Sequence, residues 1–328
     1  MKGTLLATLL LSAAATTALA QQQPQFSHYG FNGQYLNPAF AGIKGQGDVT
    51  SIVRNQYFGY DGTLDSGGDE KVGLLSANLP IAAIGGGIGL TIYHDIIAEQ
   101  GVTTGALSYS KHLKVGEDGR LGLGIQGVFH NVNHGTYRAV DPNDPNVPLN
   151  SSDRKFDAGI GVWYETPRWY AGLSVNNLLR SEFQFRSEAA GNPKSARMTL
   201  ANHGYLTLGY NFDLTDAIVL TPTAIAKVVV PAKSGFGIDN NSFEVGARAT
   251  VNDKYWGGLG FRYGESFTGM AGVAFAKDNA LRLGYAFDFI AFDSDARATT
   301  SHEIMLSYRL PKPGAPVKPA VRTPRYSF

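Results

Sequence analysis

The chain has 328 residues, a formal net charge of +1, 17% charged residues, 40 glycines, 18 phenylalanines, 16 tyrosines and no cysteine. The missing thiols exclude disulfides, thiol catalysis, cysteine-ligated metals and a lipidated cysteine anchor. Balanced charge without a basic block gives no electrostatic case for nucleic acid.

Residues 1–20 read as a cleavable secretory signal peptide: Met1-Lys2, an apolar stretch from Leu5 to Ala15, and the small-x-small ending Ala18-Leu19-Ala20 before a polar run. Residues 21–46 carry Gln, Asn, Pro and aromatics with little alternation and are expected to form an ordered N-terminal lid or plug. From residue 47 to 310 period-two alternation recurs between turn residues, which predicts strands throughout. Fourteen are expected, near 47–58, 72–79, 86–94, 102–113, 120–131, 155–164, 168–176, 203–212, 216–229, 241–250, 255–263, 267–276, 280–290 and 302–310. Their length suits tilted barrel strands, and no segment offers the roughly 20 apolar residues of a transmembrane helix. The fold class expected is therefore all-β, a transmembrane antiparallel outer-membrane β-barrel.

Connections near 80–85, 114–119, 165–167, 213–215, 251–254 and 277–279 are short. Those near 59–71, 132–154, 177–202, 230–240 and 291–301 are mostly much longer, whereas 95–101 and 264–266 break the rule by being brief. Short turns on one side and long loops on the other place both termini in the periplasm. Trp163-Tyr164, Trp169-Tyr170 and Tyr255-Trp256 then fall on the short-turn rim, where an aromatic girdle is expected. Residues 311–328 read as an extended, proline-rich periplasmic tail.

Alternation assigns one face of each strand to lipid and the other to the lumen. In Leu281 to Phe289 the odd positions are large and apolar, and the even ones are Arg282, Gly284, Ala286 and Asp288. The inward set includes Asp157, Lys227, Glu244, Arg248, Arg262, Arg282 and Asp288, and Arg54 is grouped with it as a lumen or partner-binding candidate. Such charges either pair and plug the barrel or line a cavity that receives a peptide; which strand heights face each other is not readable from alternation.

No motif points to catalysis or a cofactor. The seven histidines are scattered, no Gly-x-Ser-x-Gly occurs, and Ser301-His302-Glu303 cannot converge because successive strand residues face opposite sides. His130, His134 and the oxygen-rich run at 141–148, with Asp141, Asn143 and Asp144, lack a calcium-loop pattern and suit a solvated turn series. Gly85-Gly86-Gly87-Ile88-Gly89 has no following Gly-Lys-Ser/Thr and fits close packing inside a barrel.

Several motifs resemble one family. Gln25-Phe26-Ser27-His28-Tyr29, Phe31-Asn32, Tyr35 and Asn37-Pro38-Ala39-Phe40-Ala41-Gly42 look like the opening signature of the PorP/SprF family of Bacteroidetes membrane proteins. Arg54-Asn55-Gln56-Tyr57, the run from Gly172 to Leu178, that from Trp256 to Arg262, Gly284 to Asp288 and Ser301 to Leu306 continue the likeness in order. Tyr57 departs from an expected tryptophan, and the tail extends past the usual barrel end. The resemblance implies a non-enzymatic outer-membrane component of the type IX secretion system. It would pair with a secreted, adhesin-like partner bearing a type IX C-terminal domain and with other secretion or gliding components. Phe26, Tyr29, Asn32, Tyr35, Asn37 and Pro38 would mark its lid. A passive channel for small solutes is the alternative, since a barrel of this size holds a path unless plugged.

Overall fold

The computed structural model describes residues 23–60, 68–135, 150–189, 192–230, 241–292 and 298–312. The expected signal peptide, most of the tail and the oxygen-rich run at 141–148 lie outside them. The alternating segments form antiparallel strands: β1 (Asp48–Gln56), β2 (Glu70–Ile81), β3 (Gly86–Ile97), β4 (Gln100–Val115), β5 (Gly119–His134), β6 (Ser151–Glu165) and β7 (Trp169–Asn176). After a hairpin, β8 (Glu182–Ala189) and β9 (Asn192–Thr199), follow β10 (Asn202–Tyr210), β11 (Phe212–Thr215), β12 (Ile218–Val230) and β13 (Ser242–Val251). β14 (Tyr255–Arg262), β15 (Ser266–Phe275), β16 (Leu281–Ile290) and β17 (Thr300–Arg309) complete the wall.

The first strand pairs with the last, Asp48 opposite Arg309, and β10 pairs with both β7 and β12, so the sheet closes. β10 and β11 lie end to end along β12, which makes the 15-stranded sheet a wall of fourteen. Their division has a local cause. The ladder stops at Gly209↔Thr223 and resumes at Phe212↔Leu220, on either side of Pro222, which has no amide proton to give. Asn211 fills the gap, its amide donating to the Arg168 carbonyl at 2.6 Å and its side-chain oxygen accepting from the Thr221 hydroxyl at 2.9 Å.

Along β16, Leu283, Tyr285 and Phe289 point outward and are exposed, while Gly284, Ala286, Asp288 and Ile290 are buried inside. β6 repeats the pattern, with Phe156, Ile160 and Val162 outside and Asp157 inside. A continuous apolar exterior is what a lipid-facing wall requires. No helix among the described residues is long and apolar enough to cross a membrane; the crossing is made by strands. All backbone polar groups of a closed barrel can pair across the wall, which is the condition for spanning hydrocarbon.

One end carries tight turns. Asn252 and Asp253, at φ 54° and 51°, make the left-handed two-residue bend between β13 and β14, and Gly85 and Gly116 take positive φ in two others. The other end carries the long connections, apart from the brief turns after β3 and β14.

Two expectations need correction. The 177–202 connection is not all loop: β8 and β9 pair as a separate two-stranded sheet. The aromatic pairs do not all face lipid, because the pleat splits each of them. Trp163 and Trp256 are buried in the lumen, and Tyr170 stacks on Trp163 at 5.1 Å; Tyr164, Trp169 and Tyr255 alone can serve a girdle.

Candidate functional site

Residues 23–47 add no strand to the wall. They run through the lumen as three short helical turns, Tyr29–Phe31, Gly33–Leu36 and Pro38–Phe40. The path starts at the long-loop half, where Gln23 accepts at its carbonyl from Lys227 Nζ (2.6 Å) and at its side chain from the Tyr205 hydroxyl (2.7 Å). It ends at the short-turn mouth, where Arg120 donates to the Ile43 carbonyl at 3.2 Å.

The Asn37-Pro38-Ala39-Phe40 run has a physical role. The Asn37 side-chain oxygen accepts from the Ala39 amide at 2.9 Å, capping a turn whose first residue is proline. Its amide nitrogen donates to the carbonyls of Val162 (2.9 Å) and Leu173 (3.2 Å), so one side chain starts the turn and moors it to β6 and β7. Glycines in the wall make room. A Cβ at Gly124 would collide with the Ala39 backbone, one at Gly161 with Asn37, one at Gly87 with Ala41, and one at Gly89 with Gln34. Wall hydroxyls satisfy the carbonyls that the turns leave open: Ser110 donates to Ala39 at 2.9 Å and Ser174 to Leu36 at 2.7 Å. Asn32 accepts from Ser76 at 2.8 Å. Phe26, Tyr35 and Tyr93 pack edge to face, with centroids 5.1 and 5.7 Å apart, and Tyr29 meets the Thr223 hydroxyl at 2.8 Å.

The inward charges divide by height. In the long-loop half, Arg54 lies 2.6 Å from Asp288 and 3.3 Å from Glu303. Glu303 also accepts from the amides of Ser27 (2.8 Å) and His28 (2.9 Å) and sits 2.7 Å from His28 Nδ1. Asp288 accepts from the hydroxyls of Ser27 (2.9 Å) and Thr268 (2.6 Å). Beside them Arg262 holds Glu244 and Glu265, both at 2.9 Å. These arginines are 1% exposed, so the network is buried within the lumen.

In the short-turn half, Arg248 and Arg282 make no ion pair with any described carboxylate. Both instead flank the Phe31 ring, at 4.2 and 5.8 Å from its centroid, and Trp256 packs on the same ring at 5.2 Å. A cavity of about 250 Å³ opens beside them, lined also by Phe40, Lys44, Asp48 and Arg309.

The structure thus brings Arg54, Asp288, Glu244 and Arg262 together and leaves Arg248 and Arg282 at another level. Lys227 holds the start of the lumen segment, and Asp157 has a loop role, accepting from the amides of Leu179 (2.9 Å) and Ser181 (3.2 Å). That loop leads into the β8–β9 hairpin, whose Phe183 and Phe185 are buried against Val132. Sequence reasoning missed Glu303, His28 and Glu265 as network members; the available signal for Glu303 was its inward parity with Ser301 and Ser307. His302, between Ser301 and Glu303, turns outward to the Tyr285 hydroxyl at 2.7 Å, so the three do not converge. Among the described residues no group of three His, Asp or Glu side chains is set to hold a metal.

A family model described as "Type IX secretion system membrane protein PorP/SprF" matches residues 18–308. None of the curated proteins matches the sequence. Solved structures similar to it include the toluene transporter TbuX of Ralstonia pickettii, at 13% identity and TM-score 0.49, covering 83% of this chain and 91% of that one. The CymD monoaromatic hydrocarbon channel shows 12% identity and TM-score 0.47, with 85% and 91% covered. The translocator domain of the autotransporter NalP from Neisseria meningitidis shows 13% identity and TM-score 0.44, with 86% and 96% covered.

Proposed function

Because the chain belongs to the PorP/SprF family of type IX secretion system membrane proteins, we propose that it is a non-enzymatic outer-membrane dock that holds a secreted partner's C-terminal domain at the cell surface. The short-turn end faces the periplasm in this reading and the long-loop end faces outward. The observation that supports docking over conduction is the filled lumen: residues 23–47 hydrogen-bond to the wall from Ser76 to Glu303, and the arginine–carboxylate network closes the long-loop half. Small solutes then have no wide path, and the surface left for a partner is the long-loop end with the β8–β9 hairpin.

The test is genetic and topographic. Deleting the gene in its native host is expected to leave cargo released into the medium or not exported. Replacing residues 182–199 with a short turn is expected to preserve the barrel and release cargo. Cargo that stays attached to cells of both strains overturns the proposal.

A further inference from the structure

The two arginines of the short-turn half lack what the other lumen arginines have. Arg54 and Arg262 each lie within 3.3 Å of two carboxylates, whereas Arg248 and Arg282 form no ion pair among the described residues and flank the Phe31 ring. The buried Arg248 Nε has no hydrogen-bond partner, nor has the Nε1 of Trp256, whose side chain is buried on the same wall. Burying such donors without acceptors is costly. The side chains of Arg248, Arg282 and Trp256 line the 250 Å³ cavity at the short-turn mouth.

We infer that this cavity is a binding site for a carboxylate carried on an apolar stem, such as a glutamate side chain, gripped by the Arg248 and Arg282 guanidinium forks. Guanidinium forks match a carboxylate's two oxygens and can bind it bidentately. Phe31, held between the cations, fixes both forks, and Phe40 and Trp256 offer an apolar wall for the stem. Two acids share the cavity. Asp253 is paired with Arg309 at 3.1 Å and Asp48 accepts from Asn78 at 2.9 Å, so both acids have other partners and neither forms an ion pair with Arg248 or Arg282. The apolar wall favours a carboxylate on a hydrocarbon stem over inorganic phosphate, which has no stem to bury. The site lies at the opposite end of the lumen from the surface proposed for cargo, so either proposal can fail without the other.

The test uses the full chain purified in detergent, with calorimetry and tryptophan fluorescence as readouts. Four probes are compared: an N-acetylated, C-amidated Ala-Ala-Glu peptide, its glutamine counterpart, glutarate and inorganic phosphate. Saturable binding of the glutamate peptide or glutarate is expected, with the glutamine peptide and phosphate at least tenfold weaker. A peptide tenfold tighter than glutarate assigns the site to a polypeptide partner; equal affinities assign it to a free small carboxylate. The R248Q/R282Q double variant is expected to lose binding at least tenfold. R248K/R282K, which keeps charge without the forks, should fall between, and K254Q, whose ammonium lies over Tyr255, should bind like the parent. No saturable binding, phosphate binding as tight as glutarate, or undiminished binding by the folded double glutamine variant each overturns the inference.

Discussion

Glu244 and Arg248 stand on one strand and one face, four positions apart, and Asp288 and Arg282 on another, six positions apart, yet the two ends of these strands live in different chemistry. The long-loop half has four carboxylates and two arginines arranged so that each arginine lies against two acids and the lumen segment supplies further donors. The short-turn half has arginines that rest on an aromatic ring beside an open cavity. At about 3.4 Å per residue these spacings are about 14 and about 20 Å, enough to separate a level of paired charges from a receptive one. Inward charge is therefore no single property in a barrel: height decides whether it is mortar or ligand.

That contrast can be broken most severely by removing residues 23–44. Without them Glu303, Asp288 and the wall glycines face an empty lumen; the parent is expected to be near-silent in planar bilayers, and the shortened protein to pass steady currents and unfold more readily. Unchanged conductance and stability would contradict the plug. Next in size is R54Q, which leaves Asp288 and Glu303 buried beside a neutral side chain; removing one partner of a buried pair costs about 3–5 kcal/mol. Urea unfolding in lipid vesicles measures it, and R262Q should behave alike through Glu244 and Glu265. A smaller loss, about 1–3 kcal/mol from overpacking, is expected for G124V, which drives into the Ala39 backbone. Increased protease access to the lumen segment would accompany it. Last comes R248Q, expected to shift stability by less than about 1 kcal/mol because no carboxylate depends on it. A loss as large as that of R54Q would erase the distinction between the halves.

Face was legible in the sequence and height was not. The alternation from Leu281 to Phe289 sorted lipid from lumen correctly because the side-chain period of a strand is two. It also located all fourteen wall strands, whose bounds overlap the expected ones throughout. The same period explains two errors. Reading Trp163-Tyr164 and Tyr255-Trp256 as units ignored that neighbours on a strand part company, and Trp163 and Trp256 became packing partners of Phe40 and Phe31. Glu182-Phe183-Gln184-Phe185 alternates like a strand, but it lies in a connection bounded by polar residues, and its apolar face is explained only by Val132 on a distant strand. The Arg54–Asp288 and Arg262–Glu244 contacts depend on register between strands, which alternation does not encode.

The clasp between the beginning of the lumen segment and the last strand bears on biogenesis. Ser27 and His28 reach Glu303 across 276 and 275 residues, and Arg54 on the first strand needs acids from β16 and β17. A nascent or partly folded polypeptide therefore carries Arg54 unmatched until its final two hairpin strands arrive. Such contacts of very high sequence separation form late and slow folding. The seam between β1 and β17 and the interior clasp share Arg54 and Glu303, so zipping the cylinder shut and locking its contents are coupled steps. A truncated chain, lacking the lock, would be marked as incomplete by its own exposed guanidinium.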